Sequence, residues 1–266
     1  MTSIGPAARL QRFRDRLPSD AVIGPFSKTT DPAMIEVMGL SGFDFVILDT
    51  EHGPHDPSSL GTLIRAAECS GCLPIVRTVH HEDVSRALDL GAAGVQVPHV
   101  DSAESAKRVV AAARFSPGGA RGVCRYVRAA AHSLTPREQY FQQADQALVI
   151  VQVEGEAGLN AIDEILEVRG IDIVFVGVYD LSQSLGVLGE VDHPRVREAL
   201  GRVAKACQRR LMAMGTFVES PQAAAAYRSI GVSYLCYGVD VGLVASACRA
   251  TLDDIAGALK ASETGA

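Results

Sequence analysis

No apolar run in this chain approaches the roughly 20 residues that a membrane-spanning helix needs, and the stretch Met1 to Arg16 has no apolar core of the signal-peptide kind. The chain is therefore expected in the cytoplasm, with no membrane as partner. Aromatic residues make up only 5% of it, and basic tracts are missing from a chain of net charge −6. That combination excludes nucleic acid, because phosphate contacts need clustered Lys and Arg and bases need rings to stack on. Cysteine is sparse as well: six thiols lie scattered through 266 residues, a chain too long to need covalent staples, so they read as reduced. Cys69-Ser70-Gly71-Cys72 has redox or zinc-pair spacing, yet no second pair accompanies it. Two small residues at a helix-to-strand turn is the simpler reading. A Gly-x-Gly-x-x-Gly after the first strand, low-complexity linkers and internal repeats are all missing too, which leaves little support for a dinucleotide fold or for several domains.

What is present is a hydrophobic fraction of 47% arranged as alternating strand-like and helix-like segments. Strands are predicted at 21–27, 43–51, 73–79, 94–100, 147–154, 171–178, 211–218 and 231–238. Helical periodicity runs through Pro57–Glu68, Ser102–Ala113, Glu156–Val168, Arg195–Arg209 and Gln222–Ser229. Helix-start signals stand at Asp31-Pro32, Asp56-Pro57, Asp101-Ser102, His193-Pro194 and Ser220-Pro221. Such alternation demands a parallel sheet, either open and doubly wound or closed as a (β/α)8 TIM barrel. Eight strands favour closure, with residues 1–266 as one domain. The longest connection, 114–146, is placed on the strand-carboxyl side as a lid or subunit contact.

Four strand ends carry charged groups. The run Phe43 to Leu48 ends in Asp49-Thr50-Glu51-His52, Leu73 to Val76 in Arg77, Leu148 to Val153 in Glu154, and Ile171 to Val178 in Tyr179-Asp180. Parallel barrels present chemistry at strand carboxyl ends. Side chains two apart share a face, so Gln152 points with Glu154 and Asp49 with Glu51. Glu154 and Asp180, at neighbouring strand ends, would lie about 5 Å apart laterally. Two such carboxylates share a proton or hold a cation, and an oxygen-loving Mg²⁺ or Mn²⁺ with open positions suits the second case. Helix capping would account for either residue singly. Gly177 to Asp180 turns into Leu181-Ser182-Gln183, a short helix whose N–H groups would face a substrate carboxylate. His99 either lines the pocket or packs against it, and His132 with Arg125 and Arg128 either meets an anionic substrate tail or is solvated.

The ordered set Leu48-Asp49-Thr50-Glu51-His52, Pro74-Ile75-Val76-Arg77, Ala87-Leu88-Asp89-Leu90-Gly91-Ala92, Val97-Pro98, Arg121-Gly122-Val123, Gln152-Val153-Glu154 and Gly177-Val178-Tyr179-Asp180 resembles the metal-dependent, class II 2-oxo acid aldolases of the HpcH/HpaI group. That group includes 4-hydroxy-2-oxoheptanedioate aldolase, 2-dehydro-3-deoxyglucarate aldolase and macrophomate synthase. The resemblance covers about residues 20–250 and implies a barrel of the phosphoenolpyruvate/pyruvate-binding type. It further implies Glu154 and Asp180 as ligands of a divalent cation (Mg²⁺ or Mn²⁺, with Co²⁺ also a candidate). Gln152, Gly177, Tyr179 (through its backbone N–H) and Asp180 would bind the 2-oxo acid. His52 is implied as base, Arg77 as the transition-state cation, and Asp89 as an acid supporting the histidine. The implied reaction forms or cleaves a 4-hydroxy-2-oxo acid into pyruvate and an aldehyde, in a homo-oligomer, a hexamer, with the N-terminal helix and the helices near Val239 to Lys260 in subunit contacts.

Three features depart from the group. The Arg77 to Asp89 stretch is two residues short, with His80-His81 in place of an aromatic-polar pair; Asp89 falls late on its helix, away from the strand-carboxyl rim, so it would reach a histidine only through unusual geometry or from another subunit; and Val178 stands where proline is usual. Oxaloacetate decarboxylation, or enolate chemistry like that of macrophomate synthase, needs the same groups and remains an alternative. Outside enzymes, the alternative is a non-catalytic barrel serving as scaffold or 2-oxo acid binding subunit. An acyl-CoA lyase would need a basic nucleotide patch that the sequence does not show, and Schiff-base chemistry finds only Lys28 near a strand end.

Overall fold

The computed structural model describes residues 5–264. Its strands fall on the predicted stretches but are shorter, and the last runs one residue past its prediction: β1 (Val22–Ser27), β2 (Phe45–Asp49), β3 (Leu73–Arg77), β4 (Gly94–Val97), β5 (Leu148–Val153), β6 (Ile173–Val176), β7 (Ala213–Val218) and β8 (Tyr234–Val239). Every pairing is parallel and between neighbours in chain order, and β8 closes onto β1. The fold is the (β/α)8 barrel, with a register irregularity between Gly24 and Phe26 at the closing seam. Proline 25 sits there, where a missing N–H is tolerated.

The helix-start signals work as side-chain caps. Asp31 accepts from the Ala33 N–H, Asp56 from Ser59, Ser102 from Ser105, Ser220 from Ala223, and the His193 ring from Arg195. Asp56 and Ser102 complete reciprocal capping boxes, which satisfy otherwise orphaned N–H groups at the point where each chain leaves a strand-end loop. The predicted helix Glu156–Val168 is instead two short turns, Glu156–Asn160 and Ile162–Ile165, and the break at Ala161 lets Leu159, Ile162 and Ile165 all reach the core.

Period-two alternation places the site. β2 sends Phe45, Ile47 and Asp49 inward, β3 sends Leu73, Ile75 and Arg77, and β5 sends Leu148, Ile150 and Gln152, while Val46, Leu48, Val149 and Val151 pack outward under the helices. The lower interior is thus an apolar plug and the top layer is polar. Register holds Asp49 opposite Arg77 and Arg77 opposite Gln96. Helix α1 (Pro6–Arg16) closes the amino end: Phe13 enters the plug beside Phe45 and Tyr234, whose rings stack at 4.1 Å.

The 114–146 connection lies on the opposite side from the one expected. It joins the helix Ala103–Ala113 to β5, and a helix-to-strand connection must return to the strands' amino ends. Arg114 donates to the Ala147 carbonyl at 3.0 Å, and Arg14 of α1 donates to the Gln146 carbonyl at 2.8 Å. A cavity of about 820 Å³ opens there between α1, the starts of β3 and the connection, lined among others by Pro74, Arg121 and Tyr140. Arg128 is held by Glu68 and the Leu90 carbonyl, and Arg125 by the Ser133 and Thr135 carbonyls. These arginines therefore serve the amino face and do not meet a substrate at the barrel mouth. The last helix, Asp240–Thr264, leaves Val241, Val244, Leu252, Ile255 and Leu259 exposed.

Candidate active site

At the carboxyl mouth the polar layer forms one connected network. Asp49, fully buried, accepts from Arg77 Nε at 2.8 Å and Nη2 at 2.7 Å, and from the N–H groups of Glu51 and His52. Burial alone would push this carboxyl up; the hydrogen bonds and charge of Arg77, with Lys28 behind them, outweigh it and hold Asp49 below its ordinary range. The third guanidinium nitrogen, Arg77 Nη1, lies 3.0 Å from Glu51 Oε2, and its flat face lies over the Phe26 ring at 4.6 Å. Arg77 is thereby fixed on every side except toward the mouth.

Glu51 leads on to His99, whose Nε2 is 3.2 Å from Glu51 Oε1 and whose Nδ1 is 2.8 Å from Glu154 Oε1. His99 adopts a left-handed backbone, φ 57°, which also aims its own N–H at Glu154 Oε1 at 2.7 Å. Gln152 donates to the other Glu154 oxygen and accepts from Gln96 at 2.6 Å. Burial raises the Glu154 carboxyl above its ordinary range; the Gln152 and His99 contacts oppose this and the Asp180 charge adds to it. Asp180 stands exposed on the turn after Gly177. A β-carbon at Gly177 would lie 2.7 Å from Glu154 Oε2 and 3.3 Å from Gln152 Nε2, so glycine keeps that side of the carboxylate open.

Among the described residues no three His, Cys, Asp or Glu side chains are arranged as a metal cage. The pair Glu154 and Asp180 nonetheless fits a hard divalent ion. Both donors are oxygens, one is buried and reluctant to ionise alone, and the space beside it is free of a β-carbon. Charge agrees in sign: four carboxylates, Asp49, Glu51, Glu154 and Asp180, gather near the mouth where Arg77 and Lys28 pair with Asp49 and Glu51, an acidic excess that suits a cation.

Of the residues singled out from sequence, Arg77, Gln152, Glu154, Gly177 and Asp180 are gathered here. His52 sits on the rim, 56% exposed, with Nε2 3.9 Å from Glu51. The Tyr179 hydroxyl points outward and donates to Glu219 at 2.6 Å, which leaves its backbone as the part that faces the turn. Asp89 is not gathered. It ends the helix Val84–Asp89 that returns toward the start of β4, and it accepts from Arg121 at 2.6 Å, so within one chain it does not reach His52. Asp49, Glu51, Gln96, His99 and Lys28 complete the network without having been assigned. Alternation along β2 and β4 carries the signal for Asp49, Glu51 and Gln96, whereas the backbone turn of His99 has no signature in the residues.

A parallel barrel with an arginine, two carboxylates and a histidine at adjoining strand ends has the make-up of an enzyme site for a small anionic substrate. Residues 23–247 match the HpcH/HpaI aldolase/citrate lyase family, and the chain belongs to it. It is 34% identical over 253 residues to the 5-keto-4-deoxy-D-glucarate aldolase of Salmonella paratyphi A, covering 94% of this chain and 96% of that protein. Among solved structures, an HpcH/HpaI aldolase/citrate lyase family protein of Burkholderia cenocepacia superposes with a TM-score of 0.86 at 33% identity, covering 92% of this chain and 98% of that one. The citrate synthase SbnG does so with a TM-score of 0.83 at 31% identity, covering 93% and 97%. The resemblance read from the motifs, and the aldolase class it implied, are borne out.

Proposed function

We propose that the chain cleaves and forms a 4-hydroxy-2-oxo acid, giving pyruvate and an aldehyde through the pyruvate enolate. The observation that carries this reading is the Arg77 guanidinium, held by Asp49 and Glu51 with its free side toward a mouth that also contains the buried Glu154. Glu154 and Asp180 are the residues that would hold a divalent cation (Mg²⁺ or Mn²⁺, with Co²⁺ a further candidate), which when bound supplies Lewis-acid stabilisation of enolate charge.

The chain's own groups divide the remaining work. Arg77 donates to the oxygen on which enolate charge develops, and because Asp49 fixes it beforehand, no reorganisation is needed as that charge appears. His52, exposed at the rim, takes the 4-hydroxyl proton directly or through water during cleavage and returns it in synthesis. Gln152 orients Glu154 and offers its amide to the oxo acid. The backbone N–H groups of Val178, Tyr179 and Asp180 bind the substrate carboxylate; that of Gly177 already donates to the Val153 carbonyl at 3.1 Å, which leaves Gly177 to provide space rather than a donor. Asp89 can support a histidine only across a subunit contact. The exposed apolar face of the helix Asp240–Thr264 suits such contacts in a homo-oligomer, proposed as a hexamer. The protein is proposed to act in the cytoplasm; among the described residues no helix is long and apolar enough to cross a membrane.

A second reading, oxaloacetate decarboxylation to the same enolate, needs the same Arg77 and the same cation-holding pair, Glu154 and Asp180. Both readings predict exchange of pyruvate C3 protons in heavy water, followed by NMR, from EDTA-treated protein only after Mg²⁺, Mn²⁺ or Co²⁺ is added. Glu154→Ala and Arg77→Ala should abolish it. No exchange with any of the three metals in correctly assembled protein would sink the enolate reading, and product analysis with an aldehyde or with oxaloacetate separates the two.

A further inference from the structure

We infer that Lys28 is a specificity-determining cation of this site, binding a carboxylate carried by the acceptor aldehyde. The inference rests on the aldolase reading above and names the acceptor class that the reading leaves open.

Lys28 follows β1 directly, and its backbone is rigidly seated. Asp240, fully buried at the end of β8, accepts through one oxygen from the Ser27 hydroxyl at 2.8 Å, the Lys28 N–H at 2.9 Å and the Thr29 N–H and hydroxyl at 3.0 Å. From that base the side chain reaches over the mouth, where Nζ lies 3.2 Å from Asp49 Oδ2. The same oxygen accepts from Arg77 Nη2 at 2.7 Å. Two cations therefore share one carboxylate at different depths: the Lys28 side chain is 29% exposed and that of Arg77 only 9%.

Their capacities differ as well. Arg77 spends Nε and Nη2 on Asp49 and turns Nη1 to Glu51, and what remains is committed to the reacting oxo acid. An ammonium has three donors, and the described contacts of Lys28 use one on a side chain that is 29% exposed, which leaves two for an anion at the mouth. An ammonium on a flexible four-carbon stem is a point charge that follows anions of differing length, unlike a planar fork locked in one geometry. A lysine serving only to neutralise Asp49 would need neither its exposure nor its place at the outer edge of the network.

The test compares two acceptors of similar size, glyoxylate and glycolaldehyde, condensed with pyruvate by the Mg²⁺- or Mn²⁺-loaded enzyme. In Lys28→Met the ratio of kcat/KM for glyoxylate over glycolaldehyde should fall about tenfold, the loss of one charge-assisted contact, and Lys28→Arg should recover most of it. Any disturbance passed through Asp49 to Arg77 slows both acceptors alike and cancels in the ratio. An unchanged ratio in Lys28→Met, with both acceptors still turned over, overturns the assignment of Lys28 and leaves the aldolase reading intact. No aldol product with either acceptor from the wild-type protein overturns the aldolase reading and this inference with it.

Discussion

Replacing Asp49 by Asn tests whether the site's arginine is held by one buried carboxylate. The substitution keeps the shape and removes the charge beneath both Arg77 and Lys28, which weakens three charge-assisted contacts, two from Arg77 and one from Lys28, and leaves a guanidinium only 9% exposed without its main counterion. Removing one partner of a buried pair costs about 3–5 kcal/mol. At about 2–4 °C per kcal/mol for a chain of this length, Asp49→Asn should melt roughly 6–20 °C below the wild type at pH 7, measured by scanning calorimetry at fixed protein concentration. The pH dependence follows from the lowered Asp49 carboxyl. An acid whose pKa is lower folded than unfolded stabilises the fold above the unfolded value, about 3.9, and loses that contribution as pH falls through the folded value. The gap between wild type and Asp49→Asn should therefore be flat from about pH 8 to 5 and close only below about pH 4. Adding Arg77→Met to Asp49→Asn should restore part of the melting temperature without restoring proton exchange, because the stranded charge is gone. A gap of under about 3 °C at pH 7 would refute the reasoning and mean that Glu51 alone suffices to hold Arg77.

Two further outcomes follow from the Glu154 side of the site. Gly177→Ala forces a β-carbon to 2.7 Å from Glu154 Oε2; it should weaken Mn²⁺ binding, read by electron paramagnetic resonance, by more than about tenfold at a stability cost of about 1–3 kcal/mol. Because burial raises the Glu154 carboxyl and the ion competes with its proton, Mn²⁺ affinity should begin to fall on acidification before pH reaches the ordinary carboxylate range, and in Glu154→Gln it should be weak at every pH.

The barrel was legible because eight strand patterns alternate with capped helices, and the caps at Asp31, Asp56, Ser102, His193 and Ser220 act where their residue types predict. The site was half legible for a related reason. Alternation says which residues share a face, and it set Gln152 with Glu154 and Asp49 with Glu51, but it carries no information about lateral partners. The Asp49 to Arg77 pair arises from the register of β2 on β3, and the His99 bridge from a left-handed residue after Pro98. Neither is written in local pattern.

Direction along the barrel axis accounts both for the misplaced 114–146 connection and for Asp89, whose late position on its helix already pointed away from the strand-carboxyl rim. Asp89 and the 114–146 connection both belong to segments that run from a helix back to a strand, and in a parallel barrel every such segment ends at the amino face. Arg121, the arginine of the connection that pairs with Asp89, therefore stands with it at the far end from His52. Motif order along the chain is blind to that axis. Assigning each marker to a strand-to-helix or a helix-to-strand segment separates the two ends. On that criterion His52, Arg77, Glu154 and Asp180 fall together at the mouth, Lys28 joins them as the residue after β1, and Asp89 can meet them only from a second subunit.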